Sequence, residues 1–165
     1  MKYLFVALAI VAAIILCAAL VFLVYGRERS WLLVAGSPDR GRLDLVEIRR
    51  SPTANDALAC TGGLRGNCDL ELPALDAPPQ AIADKLAGRI EAVDPLARRV
   101  DNGDDPTHLR YVTYSPTMRF PDLISIELVS MDDGRTGVIA YARAQLGRLD
   151  FGANLERLKL YLKDV

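Results

Sequence analysis

The amino-acid sequence predicts an α+β fold in which an N-terminal transmembrane helix precedes a small antiparallel sheet packed against two helices. Three observations support this fold class. Residues 3–24 are an unbroken apolar run, residues 109–144 contain three β-type segments, and helical apolar patterns lie on either side of those segments. The predicted parts are a transmembrane anchor at 1–26, a juxtamembrane linker at 27–42 and an α+β domain at 43–165.

The first 24 residues have the composition of a membrane-spanning helix. Residues 3–24 contain neither a charge nor a proline. A helix of 22 residues is about 33 Å long, which is enough to cross a hydrocarbon core of about 30 Å. Signal peptides have shorter apolar stretches, although Val24-Tyr25-Gly26 also resembles a cleavage site. We therefore predict that residues 3–24 are retained and contact the lipid bilayer in a single pass, with cleavage as the alternative.

Two cysteines indicate the compartment of the domain. Cys60 and Cys68 are separated by seven residues, three of them glycine, so they can close a small ring. A disulfide requires an oxidising compartment and restricts the unfolded chain by about 2–3 kcal/mol. The alternative is a pair of free or metal-binding thiols, but no further cysteine lies in the domain and His108 is distant. The prediction is a disulfide and a periplasmic domain anchored in the cell inner membrane.

Basic residues after the apolar run favour the opposite orientation. The positive-inside rule, applied without regard to length, would keep the domain in the cytoplasm, but the rule is weak for long translocated domains. The four arginines concerned are Arg27, Arg29, Arg40 and Arg42.

The first part of the domain offers fewer regular patterns. The segment "LDLVEI" at 43–48 is short and apolar, which predicts a first strand. Turn-forming residues follow it, and the chain as far as residue 80 is predicted to be an irregular flap held by the disulfide. The stretch 78–93 is predicted to be a helix, because its apolar residues recur at spacings of four, four and three. Those residues are Ile82, Leu86, Ile90 and Val93.

Three strands and a final helix complete the predicted domain. Segments 109–115, 123–131 and 136–144 are rich in β-branched and aromatic residues, and "DDG" at 132–134 predicts a tight turn between the last two. In the third strand, alternation places Val138, Ala140 and Ala142 on one face and Ile139, Tyr141 and Arg143 on the other. Four apolar residues then recur at helical spacing behind Asp150, a suitable N-cap. They are Phe151, Leu155, Leu158 and Leu162.

Several classes of function find no support in the sequence. Lys2 is the only charged residue in the first 24, which leaves 19 basic residues against 21 acidic ones in the rest of the chain. No basic tract alternates with aromatics, so we predict no nucleic-acid partner. Ser115 and His108 lack a nucleophile-elbow motif, "DNGDD" at 101–105 lacks the distal glutamate of a calcium loop, and no phosphate-binding glycine motif is present. We predict neither a metal nor a cofactor.

Six polar residues near the end of the sheet form the candidate ligand-binding site. One interpretation is a structural ion-pair network that ties the hairpin to the last helix, with a cap at its start. The other is a site for an anion or a lipid headgroup, formed by arginines and a helix N-terminus. The six residues are Arg119, Asp122, Arg143, Arg148, Asp150 and Asn154.

The same region resembles a known family. The motif "RFPD" at 119–122 leads into a strand, and "GRLDFGAN" at 147–154 leads into the terminal helix. Together they resemble the domain-of-unknown-function 1499 family over about residues 43–163, although Ala142 and Ala144 stand near a position where many relatives have serine. The resemblance implies a bacterial envelope or organellar protein without an established catalytic residue.

Three functional hypotheses follow. The first is a non-enzymatic envelope protein that binds a lipid, another apolar ligand or an envelope protein, with an apolar cavity between sheet and terminal helix and arginines at its mouth. The second is an enzyme that acts on an anionic envelope substrate, with Asp122 or Asp150 as acid or base. The third is a purely structural assembly factor, marked by an exposed apolar patch and not by a pocket.

Overall fold

A computed structural model describes residues 1–165 and divides them into two compact units, Met1–Gly36 and Ser37–Val165. The first unit contains only helices, and the second contains a six-stranded sheet with two helices. In chain order the elements are α1 (Lys2–Val24), α2 (Arg27–Ala35), β1 (Asp56–Thr61), β2 (Leu70–Leu72), α3 (Pro79–Val93), β3 (Arg98–Arg99), β4 (His108–Tyr114), β5 (Pro121–Ser130), β6 (Thr136–Ala144) and α4 (Ala153–Tyr161).

The first unit contains one helix that is long and apolar enough to cross a membrane. This helix is α1, and none of its residues is buried within the protein. The predicted linker at 27–42 is helical in its first half, because "RERSWLLVA" has no helix breaker between Gly26 and Gly36. The rings of Phe22 and Trp31 pack edge to face with their centroids 5.0 Å apart. The aromatic pair therefore joins the two helices.

The sheet has the strand order β2-β1-β6-β5-β4-β3. The three predicted strands are present as β4, β5 and β6, with the turn at 132–134 joining the last two into a hairpin. All neighbouring strands are antiparallel except β1 and β2, which run parallel. The expectation of a purely antiparallel sheet is therefore wrong at one edge. The residues between β1 and β2 form most of the ring that the Cys60–Cys68 disulfide closes. They carry the chain back so that β2 runs in the same direction as β1.

One face of the sheet, here called the helix face, packs against α3 and α4. The predicted stripe on α3 is confirmed, since Ile82, Leu86 and Ile90 are buried there. Inward residues of β6 are small, with Ala140 and Ala142 fully buried. Small side chains at these positions let the helices approach the sheet closely. The predicted alternation along β6 is confirmed, because Ile139 and Tyr141 belong to a separate apolar cluster on the opposite face.

The opposite face, here called the second face, is covered by irregular chain. The predicted strand at 43–48 is wrong, because this segment lies across the second face without pairing as a strand. Leu45 is only 1% exposed and donates its N–H to Oε2 of Glu127 at 3.1 Å. The guanidinium of Arg65 donates to the carbonyls of Leu45, Val46 and Ile48. Side chains therefore satisfy the backbone groups that a strand would have paired.

The predicted irregular flap before residue 80 is also wrong, because β1 and β2 lie within it. β1 has the sequence "DALACT" and lies between β2 and β6, so all its residues after Asp56 are buried. A strand covered on both faces lacks the alternation of polar and apolar residues that reveals a half-buried strand. This loss of alternation explains why the sequence pattern failed here.

The last helix differs from its predicted apolar stripe at one position. Leu158 and Leu162 are buried and Leu155 packs against the core, as predicted. Phe151 is 94% exposed, because the helix begins two residues later at Ala153. Asn154 and Tyr161 are fully buried and share the inward face with Leu158. The buried face of α4 is therefore partly polar.

Candidate functional site

The six predicted site residues are divided between the two faces of the sheet, the start of α4 and nearby loops. In the β5–β6 register, Asp122 lies opposite Ala144 and Leu123 lies opposite Arg143. Adjacent residues of a strand point to opposite faces, so Asp122 faces α4 and Arg143 points to the second face. The two residues cannot share one site. The structure therefore does not bring all six residues together in one cluster.

On the helix face, the partner of Asp122 is Arg157. Nη1 of Arg157 lies 2.9 Å from Oδ2 of Asp122 and donates to Oδ1 of Asn154 at 2.7 Å. The amide of Asn154 donates to the carbonyl of Asn55 at 3.2 Å. The Asn55 amide in turn donates to the carbonyl of Gly147 at 2.8 Å. This chain of contacts joins β5, α4 and the segment before β1, which supports the structural interpretation of the cluster.

A second, half-buried carboxylate lies at the end of α3. Oδ2 of Asp94 accepts hydrogen bonds from the hydroxyls of Thr113 at 2.7 Å and Tyr161 at 2.5 Å. The backbone N–H of Leu96 donates to the other carboxylate oxygen. These contacts join α3, β4 and α4 under the sheet's helix face. Asp94 was not among the predicted site residues, since an aspartate after a helix resembles an ordinary turn.

The environments of the two carboxylates shift their pKa values in opposite directions. Burial raises the pKa of Asp122, and the attraction of Arg157 offsets only part of this effect. Burial also acts to raise the pKa of Asp94, but the hydrogen bonds from Thr113 and Tyr161 outweigh it and lower that pKa. Burial and the Asp94 carboxylate raise the pKa of Tyr161 well above its usual range, so Tyr161 remains a neutral donor.

The remaining predicted residues on this side of the domain lie in loops. The two carboxylate oxygens of Asp150 accept from the backbone N–H groups of Gly152 and Asn154, at 3.0 and 3.1 Å. The N-cap of α4 is Gly152 and not Asp150 as predicted, but the Asp150 carboxylate still accepts from an N–H of the first helical turn. Arg148 is exposed in the same loop. Arg119 lies in the β4–β5 turn, where its backbone has a φ of 59°.

A pocket on the second face gathers three arginines, namely Arg40, Arg49 and Arg143. We call it the three-arginine pocket; its volume is about 360 Å³. Arg143 comes from the end of β6, whereas the other two come from the irregular segment that covers this face. The rest of the lining is apolar or neutral, and consists of Leu43, Ile48, Leu123, Tyr141, Ala144 and Gln145.

No acidic residue lines the three-arginine pocket. Asp56 lies opposite Arg143 on β1, but its carboxylate is paired with Arg50 at 2.9 Å and also accepts from the Tyr141 hydroxyl at 3.0 Å. Arg49 and Arg143 are exposed, with no carboxylate within ion-pair distance in the structure. The pocket therefore combines three arginine side chains with an apolar wall.

The predicted apolar cavity between the sheet and the terminal helix is filled. The side chains of Leu158 and Tyr161 occupy this space and are fully buried. A smaller apolar groove of about 260 Å³ lies beyond the end of α4, beside Leu72, Leu75 and Val138. It contains no arginine. The arginines expected at the mouth of such a cavity are found instead on the second face.

Sequence reasoning missed Arg157, Arg40 and Arg49 as members of these arrangements. Arg157 lies three residues after Asn154 on α4, so helical spacing could have placed the two on one face. No comparable local signal existed for Arg40 and Arg49, because they lie in irregular chain. Their positions depend on how residues 37–54 cross the sheet.

The disulfide and the apolar helix indicate the cellular environment of the protein. Cys60 and Cys68 form a disulfide, with 6.0 Å between their Cα atoms. The disulfide points to an oxidising, extracytoplasmic environment for the domain. By length and composition, α1 qualifies as a membrane-spanning helix, and a signal sequence near the N-terminus would satisfy the same criteria. No group of acidic, histidine or cysteine residues has the arrangement of a metal site.

These features define a class: an α+β domain with one mixed sheet, preceded by a helix suited to a membrane. The family described as "Protein of unknown function (DUF1499)" matches residues 63–165. The chain belongs to this family, as the motifs around Asp122 and Asp150 predicted. No curated protein and no solved structure matches the chain.

Proposed function

We propose that this protein is a membrane-anchored, non-enzymatic envelope protein, and that its domain binds an anionic ligand with an apolar part in the three-arginine pocket. The proposal places the domain in the periplasm and retains α1 as the anchor. The observation that carries it is the convergence of Arg40, Arg49 and Arg143 on a pocket without an acidic residue.

The chemistry of the pocket limits the ligand. Guanidinium groups bind carboxylate and phosphate through paired hydrogen bonds, and three of them favour a group with more than one anionic oxygen. Leu43, Ile48 and the ring of Tyr141 supply apolar contact on the same pocket. The hydroxyl of Tyr141 is already bound to Asp56. A lipid-like molecule with a phosphate or carboxylate head therefore suits the pocket better than a purely polar ion.

The two carboxylates considered for catalysis support an enzyme less well. Asp122 is 7% exposed and paired with Arg157 beneath α4, so substrate access would require the helix to move. Both oxygens of Asp150 are occupied by backbone N–H groups at the start of α4. A general acid or base must reach the proton that it transfers. Asp122 lacks that access, and the Asp150 carboxylate is held by the backbone at the start of α4, which favours binding over catalysis.

Calorimetric titration of the full-length protein in nanodiscs tests the proposal, with octyl phosphate and inorganic phosphate as probes and empty nanodiscs subtracted. We expect saturable binding of octyl phosphate, weakened at least about tenfold by Arg143→Gln, because a hydrogen bond to a charged group is worth about 1.5–3 kcal/mol. Lys85→Gln is the matched control. Lys85 is an exposed cation on α3, on the other side of the sheet, and its loss is expected to leave the affinity unchanged.

Three results would contradict the proposal: no saturable binding of either probe, equal losses in the two variants, or equal affinity for the two phosphates. Equal affinity for the two phosphates would contradict only the proposed apolar part of the ligand, and the pocket would remain a site for an anion. Protease protection in sealed membranes tests the topology separately. The domain is expected to be cleaved from the periplasmic side while α1 remains with the membrane.

A further inference from the structure

The loop before α4 carries an exposed apolar pair. Leu149 is 58% exposed and Phe151 is 94% exposed, although the apolar pattern of the sequence places Phe151 in the core. We call this segment, residues 148–151, the Leu149–Phe151 tip. A single exposed leucine is ordinary on a protein surface, but an almost fully exposed phenylalanine beside it forms a projecting apolar feature.

The fold actively holds these side chains outward. Between them, Asp150 is fixed by its hydrogen bonds to the N–H groups of Gly152 and Asn154. The N–H of Asp150 donates to the carbonyl of Ala54 at 3.2 Å, which ties the loop to the segment before β1. Phe151 itself has a φ of 55°, a left-handed conformation that residues other than glycine rarely adopt. A strained residue held by its surroundings is a reason to look for a function there.

We propose that the Leu149–Phe151 tip inserts into the surface of the bilayer in which the protein is anchored, as a second membrane contact. The proposal rests on the membrane anchoring described above but not on ligand binding. Leu149 and Phe151 would enter the boundary between headgroups and acyl chains, where aromatic and aliphatic side chains are favoured. Arg148, exposed in the same tip, would contact lipid phosphates, as basic residues beside an inserted apolar group do.

A bilayer fits the tip better than a protein partner. The exposed apolar feature consists of two side chains, which offer far less area than stable protein interfaces bury. Residues 25–36 alone separate α1 from the domain, so an anchored domain remains close to the lipid surface. A short connection raises the effective concentration of the second contact and lets even a weak insertion be populated.

The geometry of β6 supplies an internal control. The Leu149–Phe151 tip follows the end of this strand, and the turn at 132–134 precedes its start. A strand of nine residues at about 3.3 Å per residue separates the two loops by roughly 30 Å. A probe on Asp132, exposed in that turn, should stay far from the lipid when the tip is inserted.

The test uses the full-length chain in nanodiscs that contain anionic lipids and nitroxide-labelled acyl chains. Cys17→Ala removes the only free thiol, so that a fluorophore can be attached at Ala153→Cys beside the tip or at Asp132→Cys in the turn. We expect at least about twofold stronger quenching beside the tip than in the turn, because only the tip enters the interface. Replacing Leu149 and Phe151 by serine should lower quenching at residue 153 to the level of the turn.

Equal quenching at the two positions in nanodisc-bound protein would overturn the proposal, and so would quenching at residue 153 that survives the double serine replacement. Circular dichroism of each variant checks that the domain remains folded. A chain that fails to stay with the nanodiscs contradicts the membrane anchoring itself. Loss of octyl phosphate binding with normal quenching contradicts only the ligand pocket.

Discussion

Arg157 on α4 lies 2.9 Å from the buried carboxylate of Asp122, so an ion pair joins the terminal helix to the beginning of β5, a central strand. The same guanidinium nitrogen donates to Asn154, one turn earlier on the helix. Both side chains of the ion pair are largely removed from water. Breaking a buried pair is costly chiefly because the remaining charge has no partner.

Arg157→Met is therefore expected to lower the free energy of unfolding by about 3–5 kcal/mol, since Asp122 would remain buried alone. Guanidinium unfolding of the detergent-solubilised chain, followed by the near-ultraviolet circular dichroism of its tyrosines, measures this change. Combining Arg157→Met with Asp122→Leu should recover most of the loss, because no unpaired charge then remains. A single variant within about 1 kcal/mol of the wild type would contradict this role of the pair.

The raised pKa of Asp122 predicts a pH dependence with a definite sign. An acid whose pKa is higher in the folded state contributes stability that is fully present below its unfolded pKa of about 3.9 and lost as pH rises through the folded pKa. Unfolding of the wild type and of Asp122→Asn should be compared from pH 4 to pH 8. The stability of the wild type relative to the variant is expected to decrease with increasing pH. An increase would mean that Arg157 outweighs burial.

Tyr161 and Tyr111 offer a matched comparison on the helix face. Both side chains are buried, but the Tyr161 hydroxyl donates to Asp94 whereas the Tyr111 hydroxyl has no partner in the protein. Tyr161→Phe should cost about 1.5–3 kcal/mol at pH 7, the range for a hydrogen bond to a charged group, and Tyr111→Phe should cost almost nothing. Urea unfolding of the two variants checks this, and equal losses would show that the hydroxyl of Tyr161 contributes no specific stability.

The lowered pKa of Asp94 makes the Tyr161→Phe effect depend on pH in the opposite sense to that of Asp122. An acid with a lowered folded pKa contributes stability above its unfolded pKa of about 3.9, and this is lost as pH falls through the folded pKa. The difference between wild type and Tyr161→Phe should therefore shrink as the pH of the unfolding experiment falls below about 4. A difference in stability that stays constant with pH would show that the contribution of the Tyr161 hydroxyl does not depend on the charge of Asp94.

The disulfide between Cys60 and Cys68 is expected to stabilise the domain by restricting the unfolded chain. Replacing both cysteines by alanine should lower the free energy of unfolding by about 2–3 kcal/mol, as expected for so short a ring. A reductant should destabilise the wild type by a similar amount and leave the alanine variant unchanged. Destabilisation of the alanine variant by the reductant would show that the reductant acts on stability by a route other than this disulfide.

The contrast between β5–β6 and residues 43–61 shows where sequence patterns suffice. β6 alternates between faces because each of its residues belongs to one of two environments, and "DDG" marks the turn before it. β1 has no alternation because both of its faces are buried, and its central place in the sheet comes from partners distant in sequence. The segment at 43–48 is apolar because it covers the second face, not because it pairs as a strand.

The candidate site divides in the same way. The contact of Asp150 with the start of α4 was identifiable because it is local: the carboxylate and its N–H partners lie within four residues. The partner of Asp122 was not identifiable, because several arginines had the same chemistry and only the docking of α4 selects Arg157. Arg40 and Arg49 reach Arg143 only through the path of an irregular segment across the sheet.

By itself the sequence determined the apolar helix at the N-terminus, α3, the three strands from β4 to β6, the disulfide and the family, because each depends on neighbours along the chain or on a short motif. Only the tertiary structure decided that Arg143 and Asp122 lie on opposite faces, that Phe151 projects into solvent, and that three arginines share a pocket. The physical reason is that a face, a partner and a pocket are relations between segments far apart in sequence, and packing selects them from chemically equivalent alternatives.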